Sequence, residues 1–217
     1  MNTNTILVTG ASGNLGTAVV NRFLQEGWLV VAVTHKNRPI KRQDQNLISI
    51  NAELTDELSA QNTVHLALQR FGKIDAAVLC AGGFTSGRIE QTSIANVIYQ
   101  LQINFATAYN IVRPLLAEMK KAGKGKIFLI GSKQGEDTYN GTDAVAYSLS
   151  KSLLFQLANI INVDVQNNNS KISATIIVPS IIDTPQNRSA MPNADFTKWQ
   201  SAESIADSIF DSFIHQR

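Results

Sequence analysis

The sequence predicts an α/β protein with a parallel sheet covered by helices on both faces. Short runs such as Ile6–Val8 and Leu29–Val33 are apolar at every position, and amphipathic stretches separate such runs along the chain. Strands that are apolar throughout, rather than at alternate positions, are typical of sheets buried on both faces. Strands separated by helices are typical of parallel crossover connections.

The individual elements follow from the apolar runs, the glycines and the prolines. Gly27 ends the first amphipathic stretch, and Gly123 and Gly125 turn the chain into the fifth strand. Pro114 falls inside the long third helix and predicts a kink or a break there. The predicted strands are Ile6–Val8, Leu29–Val33, Leu47–Ile50, Ile74–Leu79, Lys126–Ile130 and Ile172–Val178, and the predicted helices cover about 15–26, 57–70, 94–121, 145–165 and 204–214.

Length and composition favour one soluble domain over residues 1–217. The 217 residues are enough for one well-buried core, and 44% of them are hydrophobic. The net charge of +2 is too small to indicate nucleic-acid binding. No apolar run approaches the ~18–20 residues that span a bilayer. The first strand follows the first residues directly, so we expect no signal peptide.

The cysteine and the histidines predict neither a metal site nor a nucleophile. Cys80 is the single cysteine; it lies in an apolar strand, where we expect a small buried side chain. One cysteine excludes an internal disulfide and indicates the reducing cytoplasm. His65 and His215 have no companion ligands that would complete a metal site.

A glycine-rich turn follows the first strand and opens the first helix. It contains Gly10, Ser12, Gly13, Asn14, Leu15 and Gly16. Glycine lets the backbone approach a pyrophosphate, and the N–H groups that begin the helix point at the anion. The alternative is a glycine-rich loop without a ligand, but strand, turn and helix occur in the order of a dinucleotide site. With right-handed crossovers, the turn predicts a doubly wound Rossmann fold with the strand order 3-2-1-4-5-6.

The residues after the second strand favour NADP(H) as the cofactor, with NAD(H) as the alternative. A carboxylate about 20 residues beyond the glycines would bind the ribose of NAD and repel a 2′-phosphate. This chain has Thr34 there, followed by His35, Lys36 and Arg38. Such cations can pair with the phosphate. The opposing interpretation is that Lys36 and Arg38 are ordinary solvated loop charges.

Tyr147 and Lys151 lie one helical turn apart in the predicted helix after the fifth strand. Residues at positions i and i+4 share a helix face, so both side chains can reach one ligand. A tyrosine at its ordinary pKa of about 10 transfers protons poorly at neutral pH, and we expect the Lys151 ammonium to lower that pKa. The spacing is common by chance on protein surfaces, but its place in a chain with a nucleotide turn favours an acid–base pair.

Ser132 and Asn104 are the other candidate catalytic residues. Ser132 follows the fifth strand, at the edge of the sheet where α/β folds bind ligands, and its hydroxyl can hold a substrate carbonyl oxygen. The alternative is a serine that only forms a turn. Asn104 lies in an apolar helical stretch and needs partners. A water-linked relay toward Lys151 and a structural hydrogen bond are equally good interpretations.

These residues resemble the pattern of the short-chain dehydrogenase/reductase family over nearly the whole chain. The matching positions are Gly10, Gly13 and Gly16, Cys80-Ala81-Gly82, Asn104, Ser132, and Tyr147 with Lys151. The resemblance implies hydride transfer between a nicotinamide and a carbonyl or related group, with Tyr147 as the acid or base and Lys151 on the ribose. It also implies cofactor contacts from Glu53, Leu54, Ala81, Gly82, Gly83, Pro179 and Thr184. Asn14 stands where the family usually has its middle glycine.

Two segments, residues 74–84 and 183–199, resemble quinonoid dihydropteridine reductases more closely. That resemblance implies a substrate-covering loop at about 180–200. It also implies substrate contacts, which fall on Phe84, Ser132, Tyr147, Phe196 and Trp199. The aromatic rings would stack on a flat heterocycle or, alternatively, only pack the loop onto the body. Thr34 and Ser132 depart from this subgroup, which usually has an aspartate and no serine at these places.

The resemblance further implies a homodimer or homotetramer, packed through the helices of Asn104 and Tyr147. The other expected partner is a small-molecule substrate, and we expect neither nucleic acid nor membrane. The family's usual seventh strand has no counterpart in this sequence, so the sixth strand would lie at an edge that is bare or covered by a partner. The main hypothesis is an NAD(P)H-dependent oxidoreductase, and the alternative is a non-catalytic NADP-binding regulator.

Overall fold

The protein is built on one parallel sheet. The computed structural model describes residues 3–35, 38–40, 42–166 and 170–215. The strands are β1 Thr5–Thr9, β2 Leu29–Thr34, β3 Leu47–Asn51, β4 Ala76–Leu79, β5 Lys124–Ile130 and β6 Lys171–Ile177. They form a six-stranded sheet in the order β3-β2-β1-β4-β5-β6, with every neighbouring pair parallel. The predicted Rossmann strand order is confirmed.

Helices connect the strands and extend beyond the last one. They are α1 Asn14–Gln25, α2 Glu57–Phe71, α3 Ile94–Gln100, α4 Thr107–Ala122, α5 Lys133–Glu136, α6 Thr138–Gly141, α7 Val145–Gln166, α8 Pro185–Ala190 and α9 Ala202–His215. Short 3₁₀ turns occur at Ile89–Gln91 and Phe196–Lys198. The long connections between strands therefore contain the helices that parallel crossovers require.

A π-helical segment, Leu101–Ala106, joins α3 to α4. The sequence predicts one helix here, with a kink or a break at Pro114. The break does not occur there, because α4 continues through Pro114, and the irregular segment lies earlier. A π-helical turn carries more residues than an α-helical turn and is frequent at functional sites. This one contains Asn104.

Helices cover both faces of the sheet. On one face, α2, α4 and α7 bury residues such as Val64, Leu115 and Leu154 against the strands. On the other face, α1 and α9 bury residues such as Phe23 and Ile209. Each central strand therefore has a core on both sides, which explains why the strands are apolar at every position.

The outer edge of β6 is closed at one point by a side chain. The Ala174 N–H donates to Asn162 Oδ1 at 2.8 Å, and Asn162 Nδ2 donates to the Ala174 carbonyl oxygen at 2.8 Å. Asn162 lies on α7 and so replaces the hydrogen bonds of one residue of a neighbouring strand. No strand among the described residues pairs with this edge. The sequence predicts an edge that is bare or covered by a partner, whereas in the structure the chain itself covers part of this edge.

Candidate active site

The glycine turn between β1 and α1 passes close to the end of β4. Gly10 has a φ of +59°, and a Cβ there would lie 2.9 Å from backbone atoms of Cys80 and Ala81. A Cβ on Gly16 would lie 2.2 Å from the Gly10 carbonyl oxygen. Neither position has room for a side chain, so the turn depends on glycine at both.

The first turn of α1 is open to an anion. Its N-cap, Gly13, has no side chain to cap the helix, and the first turn contains no acidic residue. The N–H groups of a first turn have no partners within the helix and attract phosphate. Leu15 buries its side chain in the core, so a cofactor contact at this position falls to its backbone.

A cleft of about 670 Å³ extends from the glycine turn across the carboxyl ends of β2, β3 and β4. Doubly wound sheets bind nucleotides at this edge. The predicted cofactor residues that line the cleft are Gly10, Ser12, Gly13, Thr34, His35, Arg38, Glu53, Leu54, Ala81, Gly82 and Gly83. The cleft is also lined by four residues that the sequence does not predict, Tyr99, Gln102, Ile103 and Thr107. Lys36 lies outside the described residues.

The ends of β2 and β3 contribute a polar cluster to the cleft. Thr34 is buried, and its hydroxyl donates to Asn51 Oδ1 at 2.5 Å. His35 Nε2 lies 3.3 Å from Glu53 Oε2. The Thr55 hydroxyl donates to Glu53 Oε1 at 2.8 Å, and this bond, more than the one to His35, holds the pKa of Glu53 below its ordinary value. The carboxylate of Glu53 is therefore already engaged by protein groups.

Ser132 and Tyr147 meet at the carboxyl end of β5. The Ser132 hydroxyl accepts the Gly135 N–H at 3.2 Å and also hydrogen-bonds Tyr147. Burial raises the pKa of the Tyr147 phenol, and the Ser132 hydrogen bond opposes that shift. Lys151 Nζ lies 5.8 Å from the centre of the Tyr147 ring. The expectation that Lys151 lowers the Tyr147 pKa is wrong for the protein alone, because the Ser132 hydrogen bond, and not Lys151, is what opposes the effect of burial.

Lys151 is buried beside the cleft. Its Nζ donates to the Ile130 carbonyl oxygen at 2.7 Å and would lie 3.7 Å from a Cβ on Gly82. Burial lowers the pKa of the Lys151 ammonium to about 8, and the neighbouring Cys80 opposes this shift. Burial also raises the pKa of the Cys80 thiol to about 12, so the thiol is neutral. Cys80 is partly exposed along the cleft, and the expected burial is therefore incomplete.

Asn104 is 1% exposed, and its side-chain amide is hydrogen-bonded by other groups of the protein. Its Oδ1 accepts the Gly83 N–H at 3.0 Å, and its Nδ2 donates to the Gly83 carbonyl oxygen at 3.0 Å. Nδ2 also lies within hydrogen-bond distance of Gln100 Oε1, at 2.8 Å, and of Ser150 Oγ, at 3.1 Å. Of the two interpretations left open by the sequence, these contacts favour the structural hydrogen bond.

The segment 180–200 begins after β6 and is tied to the glycine turn. Pro179 lies between β6 and this segment, at the carboxyl edge of the sheet. The Thr184 hydroxyl caps α8 by accepting a backbone N–H at 3.1 Å. From α8, Gln186 Oε1 accepts a hydrogen bond from Asn14 Nδ2 at 3.1 Å. Asn14 thus contacts segment 180–200, which is called the covering segment below, and does not line the main cleft.

The aromatic residues of the predicted substrate site form two groups. Phe84 packs edge-on against Tyr147, with ring centres 5.0 Å apart. Phe196 and Trp199 pack on each other, with ring centres 4.7 Å apart. The Arg188 guanidinium lies 4.8 Å from the centre of the Phe196 ring. The structure therefore brings Phe84 to the tyrosine, whereas Phe196 and Trp199 take part in packing within the covering segment.

Neither a metal-binding cluster nor a membrane-spanning helix occurs in the described ranges. No three His, Cys, Asp or Glu side chains there form a group that can hold a metal ion. None of the helices in those ranges is long and apolar enough to cross a membrane.

Comparisons with known proteins agree with this architecture. The sequence model of the short chain dehydrogenase family matches residues 4–195. An uncharacterized oxidoreductase of Staphylococcus epidermidis is 24% identical over 215 residues, which cover 94% of this chain and 87% of that protein. An uncharacterized oxidoreductase of Schizosaccharomyces pombe is 28% identical over 188 residues, which cover 83% of this chain. This chain spans 61% of the length of the S. pombe protein.

Solved structures share the fold at low sequence identity. A structure of ElxO with NADP bound has a TM-score of 0.86 at 19% identity, covering 96% of this chain and 90% of that one. The crystal structure of gox2181 has a TM-score of 0.83 at 20% identity, covering 96% and 88%. The family match extends over most of the chain and includes the glycine turn, the serine and the tyrosine–lysine pair. The chain therefore belongs to the short-chain dehydrogenase family of oxidoreductases.

Proposed function

We propose that the protein reduces a carbonyl or quinonoid compound with NADPH and that Tyr147 donates the proton. The observation that carries this proposal is the cluster of Ser132, Tyr147 and Lys151 beside the cleft that begins at the glycine turn. A bound NADPH would supply the hydride, and the Tyr147 phenol would donate the proton, to the oxygen of a carbonyl compound or to an oxygen or ring nitrogen of a quinonoid one. A carbonyl compound would give an alcohol and a quinonoid compound its dihydro form, with NADP as the oxidised product.

Each residue of the cluster has a role that its surroundings support. The Ser132 hydroxyl already hydrogen-bonds Tyr147, so a carbonyl oxygen placed at this position can contact both. Burial keeps the Tyr147 phenol protonated, which suits the donor in a reduction. The Lys151 ammonium lies close to Gly82, a residue of the cleft, where it can hold the ribose hydroxyls.

We favour NADPH over NADH because of the charges at the end of β2. Thr34 stands where a carboxylate would repel the 2′-phosphate, and His35 and Arg38 line the same part of the cleft. The nearby carboxylate, Glu53, is engaged by Thr55 and His35. A 2′-phosphate at this position would meet the neutral Thr34 and the Arg38 guanidinium, while the Glu53 carboxylate, although charged, is held by hydrogen bonds to Thr55 and His35.

A flat quinonoid heterocycle of the dihydropterin type is the substrate class that we favour. Phe84 is 62% exposed although its ring contacts Tyr147. An exposed aromatic ring beside the proton donor offers a surface on which a flat ring can stack. The resemblance of segment 183–199 to dihydropteridine reductases supports the same substrate class.

We also propose that two copies associate through α3 and α7, as a homodimer or within a homotetramer. Exposed apolar side chains occur on both helices; they are Ile94, Ile98, Leu149, Leu153, Ile160 and Val163. Apolar side chains exposed together in this way are typical of interfaces between proteins. Sedimentation of the purified chain measures the oligomeric state.

NADPH consumption in the presence of a substrate panel tests the proposed reaction. The panel contains quinonoid dihydropterin, aldehydes, ketones and quinones, and KM is measured for NADPH and for NADH. We expect turnover with a lower KM for NADPH, and a loss of about 10²- to 10⁴-fold in kcat in Tyr147→Phe. A lower KM for NADH would contradict the cofactor assignment. Tight NADPH binding without turnover of any substrate would favour the non-catalytic regulator instead.

A further inference from the structure

Residues 84–88 form a wall segment that follows β4 and lies against the start of α7. The Gly87 N–H donates to the Asp143 carbonyl oxygen at 2.8 Å, and the Val145 N–H donates to the Gly87 carbonyl oxygen at 3.0 Å. Arg88 Nε donates to Asp143 Oδ1 at 2.7 Å. These bonds fix the end of the wall segment at Gly87 and Arg88 to the residues at the start of α7, the helix of Tyr147, which is called the catalytic helix below.

The near end of the wall segment is held by Gln100. Gln100 is only 1% exposed, and its side-chain Nε2 donates to Thr85 Oγ1 at 2.9 Å. Its Oε1 accepts a hydrogen bond from Asn104 Nδ2 at 2.8 Å. The two ends of one buried amide therefore join the wall segment to the π-helical segment.

The chain of hydrogen bonds continues from Asn104 to the catalytic helix. Asn104 Nδ2 also donates to Ser150 Oγ at 3.1 Å, and Ser150 Oγ donates to the Tyr147 carbonyl oxygen at 2.7 Å. The chain thus starts beside Phe84 and ends on the backbone of Tyr147. The rings of Phe84 and Tyr147 are in direct contact, so one network fixes both partners of this contact.

We propose that Gln100 is a positioning residue that holds Phe84 opposite Tyr147 and thereby makes the site select planar, conjugated carbonyl and quinonoid rings. This inference rests on the proposed reductase function. The Phe84 ring is largely exposed, so it has a free surface for a flat substrate. A ring that is already held in place loses little conformational freedom when a substrate stacks on it. A small aliphatic carbonyl compound gains little from that surface.

The burial of Gln100 shows what its amide contributes. A buried amide without partners destabilises a protein, and an apolar side chain could fill the same place in α3 without that penalty. The bonds to Thr85 and Asn104 are the feature that an apolar side chain cannot supply. The amide therefore serves to link the wall segment to the catalytic helix.

Two variants separate this link from the rest of the site. Thr85→Val keeps the shape of the side chain and removes the hydroxyl that Gln100 binds, and Gln100→Met removes both bonds of the amide at similar volume. The probes are phenanthrenequinone, which is planar, and butanal, which is small and aliphatic, each with NADPH. We expect the ratio of kcat/KM for the quinone to kcat/KM for butanal to fall about 3- to 10-fold in both variants, chiefly through KM for the quinone.

Ser150→Ala and Ser152→Ala form a matched pair for the other end of the network. Each hydroxyl donates to the carbonyl oxygen three residues earlier in α7, at 2.7 Å and 2.9 Å. Only Ser150 is buried and accepts a hydrogen bond from Asn104. We expect the selectivity ratio to fall in Ser150→Ala and to stay unchanged in Ser152→Ala.

Equal losses for both probes in Thr85→Val and Gln100→Met would show that the network only stabilises the fold, and would overturn the inference. If the wild type reduces neither probe and no other member of the substrate panel, the reductase proposal fails separately. The inference is then tested without turnover. The binding of phenanthrenequinone to the Tyr147→Phe protein in the presence of NADPH is measured by fluorescence. Weaker binding after Thr85→Val supports the role of the network, and equal binding overturns it.

Discussion

At the scale of single residues, the burial of the Lys151 ammonium suits ligand binding but lowers the stability of the folded protein. The residue is 6% exposed, and burial lowers its pKa from 10.5 to about 8. In the protein alone its Nζ donates to the Ile130 carbonyl oxygen. Removing a charge from water is costly, and one neutral acceptor offsets only part of that cost. The ribose hydroxyls of the proposed cofactor would supply further partners.

We expect Lys151→Met to change the pH dependence of stability in the cofactor-free protein. Below pH 8, Lys151 is charged in the folded and unfolded states, so its destabilising effect is constant. Between pH 8 and 9, the folded state loses this proton while the unfolded state keeps it. The free energy of unfolding of the wild type should therefore rise, relative to the variant, by up to about 1.4 kcal/mol. Urea unfolding at each pH measures the difference.

Lys121→Met is the control for that experiment, because it removes a lysine whose side chain is 73% exposed. Cys80 acts in the opposite direction beyond pH 9, but because it is present in wild type and variant alike, its contribution largely cancels from their difference. An unfolded thiol ionises from about pH 9, whereas the folded thiol has a pKa of about 12, so stability falls there. A constant difference between wild type and Lys151→Met from pH 7 to 9 would contradict the lowered pKa of Lys151.

The grouping of Ser132, Tyr147 and Lys151 was predictable from sequence, whereas the hydrogen-bond network through Gln100 was not. Ser132, Tyr147 and Lys151 have a recognisable order and spacing relative to one strand and one helix. Gln100 and Thr85 have no such pattern. In the sequence, a single glutamine in a helix cannot be distinguished from a solvent-exposed one, and the burial of Gln100 depends on how separate helices pack. For the same reason, the direction of the Tyr147 pKa shift was predicted wrongly: burial has no local sequence signal.

At the scale of elements, the edge strand β6 shows how one side chain can replace part of a neighbouring strand. An edge strand exposes unpaired N–H and C=O groups that invite pairing with another chain. Asn162 satisfies both groups of Ala174. The helix α7 thus contributes Tyr147, the proposed proton donor, on its first turn and protects the sheet edge further along.

We expect Asn162→Leu to lower the free energy of unfolding by about 1–3 kcal/mol, because the N–H and C=O of Ala174 lose their partners. Urea denaturation measures this loss, and light scattering measures any association through the opened edge. Asn162→Asp keeps an acceptor for the Ala174 N–H and loses the donor, so its stability should fall between the two proteins. An unchanged stability in Asn162→Leu would show that water satisfies both groups equally well.

Element types and the strand order were predictable, but the π-helical segment was not. The apolar runs and the glycine turn suffice for the order of β1 to β6, since crossover handedness excludes most other topologies. Leu101–Ala106 differs from an α-helix by its hydrogen-bond register, which composition does not reveal. Pro114 was a misleading signal, because the helix tolerates it. The cleft residues Tyr99 and Gln102 were missed together with the π-helical segment that precedes α4.

At the scale of the whole molecule, distant parts of the chain meet over the candidate site. The strand order places β1 in the middle of the sheet and β6 at its edge, so the segment 180–200 must pass along the carboxyl edge to reach the glycine turn. The fold class alone predicts this approach. It does not predict the contact between Asn14 and Gln186, which are 172 positions apart, since two polar residues at that separation carry no shared sequence signal.

The Asn14–Gln186 hydrogen bond predicts that the glycine turn restrains the covering segment. Gln186→Leu removes the acceptor, and Gln186→Glu keeps one. Trypsin can cut after Arg188 or Lys198, which both lie in this segment, once it opens locally. We expect these cuts to be about 2- to 5-fold faster in Gln186→Leu than in the wild type or Gln186→Glu, because one exposed hydrogen bond stabilises only weakly. Mass spectrometry of the fragments measures each rate, and equal rates in all three proteins would contradict the restraint. Faster cutting throughout the chain would instead indicate global destabilisation, so only a change confined to 180–200 assigns the restraint to this contact.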